Sequence, residues 1–196
     1  LTSKPYILLI VLTLALAAAA QDLPLNGVWT TPLQSAVHDR MVFGSVVEKK
    51  NLYINISKPK RTLYVLERRG TGDALIAAYP VCLGANTGDK KHTGDCRTPE
   101  SHPDHPFVIS QIADASSWHH DFGDGRGPMP AYGHWFMRLK GDYIGTGIGI
   151  HGSTGNHYSV PGRGSEGCIR LRDDDIIHLK KNYAFIGMKV FIEKDE

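Results

Sequence analysis

Residues 51–70, NLYINISKPKRTLYVLERRG, alternate apolar and polar side chains on both sides of KPKR. Leu52, Ile54 and Ile56 share one parity before it, and Leu63 and Val65 share one after it. Period two is the repeat of an extended strand, because successive side chains point to opposite faces of a sheet. The stretch therefore predicts a β-hairpin with one buried face. DALIAAYPVCLGAN (73–86) reads as a further strand ended by Gly84, and FVISQIAD (107–114) as another. GHWFMRL (133–139) and YIGTGIGIHG (143–152) read as strands leading to His151, and GMKVFIEK (187–194) closes the chain as a final strand. GDKKHTGDCRTPESHPDHP (88–106) and SSWHHDFGDGRGPMPAYG (116–133) carry too much Gly and Pro for regular structure. RDDDIIHLKKNY (172–183) predicts a helix: acids open it, basic residues end it, and Ile176, Ile177 and Leu179 give it an apolar side. The sum predicts a mainly β single-domain β-sandwich of mixed strands with one or two short helices.

The chain opens LTSKPYILLIVLTLALAAAAQD. Lys4 precedes an apolar run over 6–20 that closes on small residues, the layout of a secretory signal peptide cleaved after Ala20. The rival is an uncleaved anchor, but the run is shorter than the ~20 residues a spanning helix needs. Residues 1–20 are thus expected to be a signal peptide, 21–47 (with Pro24 and Pro32) an N-terminal arm or linker, and 48–196 one domain. The expected location is the periplasm or cell envelope, with no stable membrane insertion after cleavage. A formal net charge of +2 gives no electrostatic pull toward nucleic acid. Nothing in the sequence sets an oligomeric state.

Three cysteines, Cys82, Cys96 and Cys168, are an odd number for an exported chain and leave a free thiol or an intermolecular bridge. The spacing of Cys82 and Cys96 permits a loop-closing disulfide and equally permits two thiols. Cys168 lies in IHGSTGNHYSVPGRGSEGCIRL (150–171), a stretch with almost nothing to fill a core. A thiol with a pKa of ~8.5 is a weak nucleophile at neutral pH until a neighbouring imidazole takes its proton. His151 ends an apolar strand that can aim it. Gly167 leaves the approach to the sulfur open, and the N–H groups of Gly167 and Cys168 are candidates for an oxyanion hole. A lone Cys is more often a small core residue, so the pair alone is a weak signature.

The flanking residues sharpen it. His151-Gly152, a glycine-rich loop and then Ser165-Glu166-Gly167-Cys168-Ile169-Arg170-Leu171 resemble the active-site signature of the L,D-transpeptidase catalytic domain family. In that family a histidine precedes a Ser/Thr-His-Gly-Cys block that is followed by an apolar residue and Asn or Arg. TLYVLE (62–67), PVCLGAN (80–86), GDCRTPE (94–100) and PMPAY (128–132) fall in the family's order, so the resemblance covers roughly residues 50–193. Two positions depart from it: Glu166 stands where the family has His, and Cys82 where Ser or Thr is common.

The resemblance implies that Cys168 attacks the carbonyl joining the third stem residue to D-Ala at position four of a peptidoglycan tetrapeptide, with His151 as base. Gly152 matches the carbonyl that fixes the imidazole tautomer. Arg170 would pair with a substrate carboxylate or with the acids at 173–175. Ser165 would hydrogen-bond near the thiol or shape the turn, and Tyr132 and Trp135 would line the cleft or belong to the core. The partners implied are peptidoglycan stem peptides, and no step needs a cofactor. An amine acceptor makes the enzyme a transpeptidase and water makes it a carboxypeptidase; the sequence does not discriminate. A zinc peptidase built on His92, Asp95, His102, Asp104 and His105 is the weaker rival, since these lie in Pro-rich loops without an H-E-x-x-H helix. A non-catalytic wall-binding relative is the third reading, suggested by Glu166 alone.

Overall fold

The computed structural model describes residues 48–70, 72–141 and 147–195. The expected signal peptide, the arm over 21–47 and residues 143–146 of the run before His151 lie outside the described residues. In chain order the strands are β1 (Leu52–Ser57), β2 (Thr62–Glu67), β3 (Ala74–Pro80), β4 (Cys82–Gly84), β5 (Phe107–Asp114) and β6 (His119–His120). They continue with β7 (Met129–Pro130), β8 (Trp135–Lys140), β9 (Gly149–His151), β10 (Gly162–Ser165), β11 (Ile169–Arg170) and, after helix α1 (Asp173–Asn182), β12 (Lys189–Ile192). Among the described residues no helix is long and apolar enough to cross a membrane.

The expected hairpin forms. β1 and β2 pair antiparallel with Ile54 opposite Val65 and Ile56 opposite Leu63, all four fully buried. Ten strands make one mixed ladder in the order β10-β4-β11-β9-β8-β5-β12-β1-β2-β3, and β6 and β7 form a separate small ribbon. β3 stands at one end of the ladder and β4 next to the other, yet only Val81 separates them in the chain. Ten flat strands would span roughly 40 Å, whereas two residues of chain reach about 7 Å. The sheet must therefore curl until its ends meet at Val81. That residue is fully buried, donates its N–H to the Arg61 carbonyl at 2.9 Å and accepts from Gly162 N–H at 3.1 Å. One continuous ladder thus supplies both layers of the expected sandwich. Ile54, Val65 and Val190 from one half share a single core cluster with Leu83, Ile150 and Ile169 from the other.

Local differences from the sequence reading have physical reasons. DALIAAYPVCLGAN is two strands, because the chain changes ladder ends at Val81. The closing strand β12 is internal: it inserts between β5 and β1, parallel to β1, with Val190 beside Ile54 and Ile192 beside Ile56. The glycine-rich segment before Cys168 contains an edge strand, β10, paired with β4. Helix α1 has its acids in the first turn, Lys180 and Lys181 in the last, and Ile176 and Leu179 buried.

Lys58 opens the turn of the expected hairpin and is 1% exposed. Its ammonium donates to Gly88 O at 2.9 Å and Glu100 Oε1 at 2.8 Å, and lies 3.4 Å from Asp195 Oδ2. Asp195 also accepts from Gly88 N–H and pairs with Arg163 of β10. The cluster ties the hairpin turn, the loop after β4, β10 and the C-terminal tail together. Removing a buried cation strands its carboxylates. Lys58→Ala is expected to lower the unfolding free energy by about 3 kcal/mol, read from the urea midpoint; an unchanged midpoint would contradict this role.

Candidate active site

The site is assembled by strand register. β9 and β11 run parallel with Ile150 beside Ile169 and His151 beside Arg170. Cys168 immediately precedes β11, so it falls level with Gly149, and alternate residues share a face. β8 pairs antiparallel on the other side of β9, with Phe136 opposite His151 and Arg138 opposite Gly149. Two rows therefore cross one face of the sheet: Phe136, His151 and Arg170 in one, Arg138, Gly149 and Cys168 in the next.

His151 is 3% exposed, with its ring stacked on Phe136 at 5.5 Å and 5.0 Å from the ring of Tyr132. Its Nδ1 lies 2.7 Å from the Gly152 carbonyl. A carbonyl only accepts, so Nδ1 carries the proton and Nε2 presents its lone pair. Burial, helped by the Arg170 charge, pushes the imidazole pKa down to about 3, against the pull of the Gly152 carbonyl. The ring is neutral at physiological pH. Gly152 N–H donates to Tyr132 O at 2.8 Å, and Asp173, at the start of α1, accepts from Ser153 N–H at 2.8 Å and from the Thr154 hydroxyl. The carbonyl that orients His151 is thus clamped from both sides.

Cys168 is partly exposed, its thiol facing the Gly147 carbonyl at 3.4 Å. Burial pushes the thiol pKa up, and Glu166 adds to the rise; the Gly149 N–H, Arg170 and Lys90 act against it. Gly167, just before it, has φ +125° and would place a Cβ 2.7 Å from Arg97 O, so only glycine fits there. Ser165 is buried; its hydroxyl donates to Cys168 O at 2.6 Å and accepts from Gly167 N–H at 3.1 Å. Of the two roles expected for Ser165, these bonds are those of a residue that shapes the turn, and the Gly167 N–H, one of the two oxyanion-hole candidates, is engaged by its hydroxyl. The Cys168 N–H has no hydrogen-bond partner among the described residues.

Cys168 stands between two concavities. A cleft of about 460 Å³ is lined by Lys90, Cys96, Trp118, Phe136 and Arg138. A smaller cavity is lined by His151, Arg170, His120 and Phe122. Cys168, Tyr132 and Glu166 border both. Tyr132 is therefore a wall residue. Trp135 is not: strand alternation turns it away from the site face, where it packs on the core under the Lys180 ammonium at 4.1 Å. Arg170 is buried, lies over Phe122 at 5.4 Å and donates to Gly164 O at 3.4 Å; it has no carboxylate partner among the described residues, so the pairing with 173–175 is not made. Glu166, in the position of the family's histidine, puts Oε2 3.1 Å from Nε2 of His120, a histidine supplied by β6.

The permitted Cys82–Cys96 bridge is not formed; all three cysteines are free. Cys82 is buried in β4 with its sulfur on Leu83 O, whereas Cys96 turns its sulfur to Gly94 O in the loop lining the larger cleft. Of the zinc candidates, Asp95 is already engaged by the Lys90 ammonium at 2.8 Å and by three backbone N–H groups. Among the described residues no group of three or more His, Cys, Asp or Glu side chains is placed to hold a metal ion. Phe136, Arg138, His120 and Asp173 were not singled out by sequence reading. Parity along β8 is the one signal that marks the first two; the others arrive through tertiary packing.

Comparison with known proteins bears on the whole domain. The family described as the L,D-transpeptidase catalytic domain matches residues 51–192. No curated protein matches significantly. Among solved structures, a variant of the helical cell shape determining protein Pgp2 from Campylobacter jejuni is 20% identical, with 74% of this chain and 48% of that one covered and a TM-score of 0.51. A mutant L,D-transpeptidase from Enterococcus faecium is 18% identical, with 72% and 49% covered and a TM-score of 0.50. The chain spans about half the length of these two structures, and the likeness carries the fold alone. With the family's signature region folded into one face of a matching domain, the chain belongs to the L,D-transpeptidase catalytic domain family.

Proposed function

We propose that the protein is an exported cysteine L,D-transpeptidase acting on peptidoglycan tetrapeptide stems in the periplasm or cell envelope. The observation that carries this reading is the β9–β11 register, which brings a neutral, carbonyl-oriented imidazole and a thiol to one face beside two concavities. The Cys168 proton passes to Nε2 of His151 as sulfur attacks the carbonyl carbon between the third stem residue and D-Ala. The Cys168 N–H, without a hydrogen-bond partner among the described residues, is the donor available to the charge that develops on oxygen. The C–N bond breaks, His151 returns the proton to the departing amine of D-Ala, and a thioester remains on Cys168. An acceptor amine then attacks the thioester, loses its proton through His151 and restores the thiol. Arg170, a buried cation with no carboxylate partner among the described residues, supplies a counter-charge for a substrate carboxylate in the smaller cavity. Concavities on both sides of one sulfur suit the acyl part of the donor on one side and, on the other, the departing D-Ala followed by the acceptor. The apolar run over 6–20 supports export.

The test is incubation with a disaccharide-tetrapeptide, beside Cys168→Ala, followed by mass spectrometry. A cross-linked dimer formed with loss of one D-Ala, absent in the variant, is expected. Loss of D-Ala without a dimer would make water the acceptor, and binding without either product would favour the non-catalytic relative.

Local charges make a second prediction. Glu166 raises the thiol pKa and Arg170 lowers it. Glu166→Gln is expected to move the pH midpoint of Cys168 alkylation by iodoacetamide down, and Arg170→Gln to move it up, by roughly half a unit or more. Shifts of opposite sign would contradict the charge assignment.

A further inference from the structure

Arg138 shares the row of Cys168, one row from His151, and is used by none of the steps above. It faces Gly149 across β8 and β9, and Gly149 faces Cys168 on its other side. Two strand spacings set the Arg138 and Cys168 backbones roughly 10 Å apart. The residue between them has no side chain, and a Cβ on Gly149 would meet the Phe136 ring at 2.4 Å. The Phe136 ring takes the space over Gly149 that a side chain would fill, and the guanidinium lies over that ring on the edge of the cleft that Cys168 also borders.

The guanidinium is held but not neutralised. It lies over the Phe136 ring at 5.3 Å, and Nε donates to Gln111 Oε1 at 3.4 Å. Its two terminal amino groups have no partner among the described residues, so the fork that binds a carboxylate is open. Lys90, the other cation on the larger cleft, is paired with Asp95 at 2.8 Å. Glu166, the carboxylate on the same wall, contacts His120 and makes no ion pair with Arg138. The larger cleft thus has one unpaired cation among its described lining residues, beside an aromatic wall of Trp118, Tyr132 and Phe136.

Position says which part of a substrate it meets. His151, which must reach the departing amine, borders the smaller cavity with Arg170, so the leaving residue lies on that side. The acyl part then extends into the larger cleft. We infer that Arg138 is a specificity-determining residue that binds a carboxylate of the acyl-donor peptide, the free α-carboxylate of the second stem residue, through the open edge of its guanidinium. The inference rests on the L,D-transpeptidase reading for the direction of the substrate.

The test measures binding, so it does not depend on turnover. Calorimetry compares Cys168→Ala with Cys168→Ala/Arg138→Gln, using tetrapeptide stems whose second-residue carboxylate is free or amidated. A charged hydrogen-bonded pair predicts about a 10-fold or greater loss of affinity for the free acid on removing Arg138. The amidated stem should bind both proteins equally, which also shows that the variant is folded, and Arg138→Lys should recover part of the loss. Equal losses for both stems, no loss for either, or no binding of either stem would overturn the anchor. Failure of the wild-type chain to form product, with this difference in binding present, would overturn the reaction and leave the anchor standing.

Discussion

A parallel pairing only two residues long, Ile150 with Ile169 and His151 with Arg170, sets the geometry of the candidate site. The face on which His151 projects is settled by strand parity, and so is the level at which Cys168 arrives. A slip of one residue would turn every one of these side chains to the opposite face. The register is guarded by burial, since Ile150 and Ile169 are both fully enclosed in the core. It is continued by Leu171 N–H, which donates to His151 O at 2.8 Å. Exposing two large apolar side chains costs several kcal/mol, so the site keeps its alignment without ligands to impose it.

The larger sheet provides the setting for that pairing. Curling the ladder at Val81 sets β4 between β10 and β11 and places the loop over 94–98 against Gly84 and Gly167. One carboxylate organises that loop. Against the cost of burial, the Lys90 ammonium and the N–H groups of Lys91, Arg97 and His92 hold the Asp95 carboxyl well below the usual carboxylate range. Lys90 and Cys96, which line the larger cleft, are positioned by this turn. The Lys58 cluster does the same for the tail and β10. Polar groups buried in pairs hold the loops, while apolar packing holds the strands.

The hairpin, β5, β8 and the helix were legible because each carries its own period or its own end charges. Cys168 and His151 stood out as candidates because glycine and charge patterns around them are unusual, and the family signature gave their spacing a meaning. What could not be read depends on which strand lies beside which. Trp135 and Phe136 are adjacent aromatics, and only the pairing of β8 with β9 decides that the second faces the site. Arg138 faces it for the same reason, whereas His120 arrives by tertiary packing from the separate β6–β7 ribbon. Asp173 looked like a helix-end charge, yet its carboxylate clamps the loop after His151. Lys58 read only as part of a hairpin turn, but the loop after β4 and the C-terminal tail supply the groups that enclose its ammonium.

The central claim is that the thiol of Cys168, served by His151, carries the acyl group. Intact-protein mass spectrometry after rapid mixing with a tetrapeptide stem, with peptide mapping of any adduct, tests it most directly. The account predicts an adduct on Cys168 equal to the stem minus D-Ala, which forms far more slowly in His151→Ala. An adduct on Cys96 or Cys82, or one that forms at the same rate without His151, would contradict it.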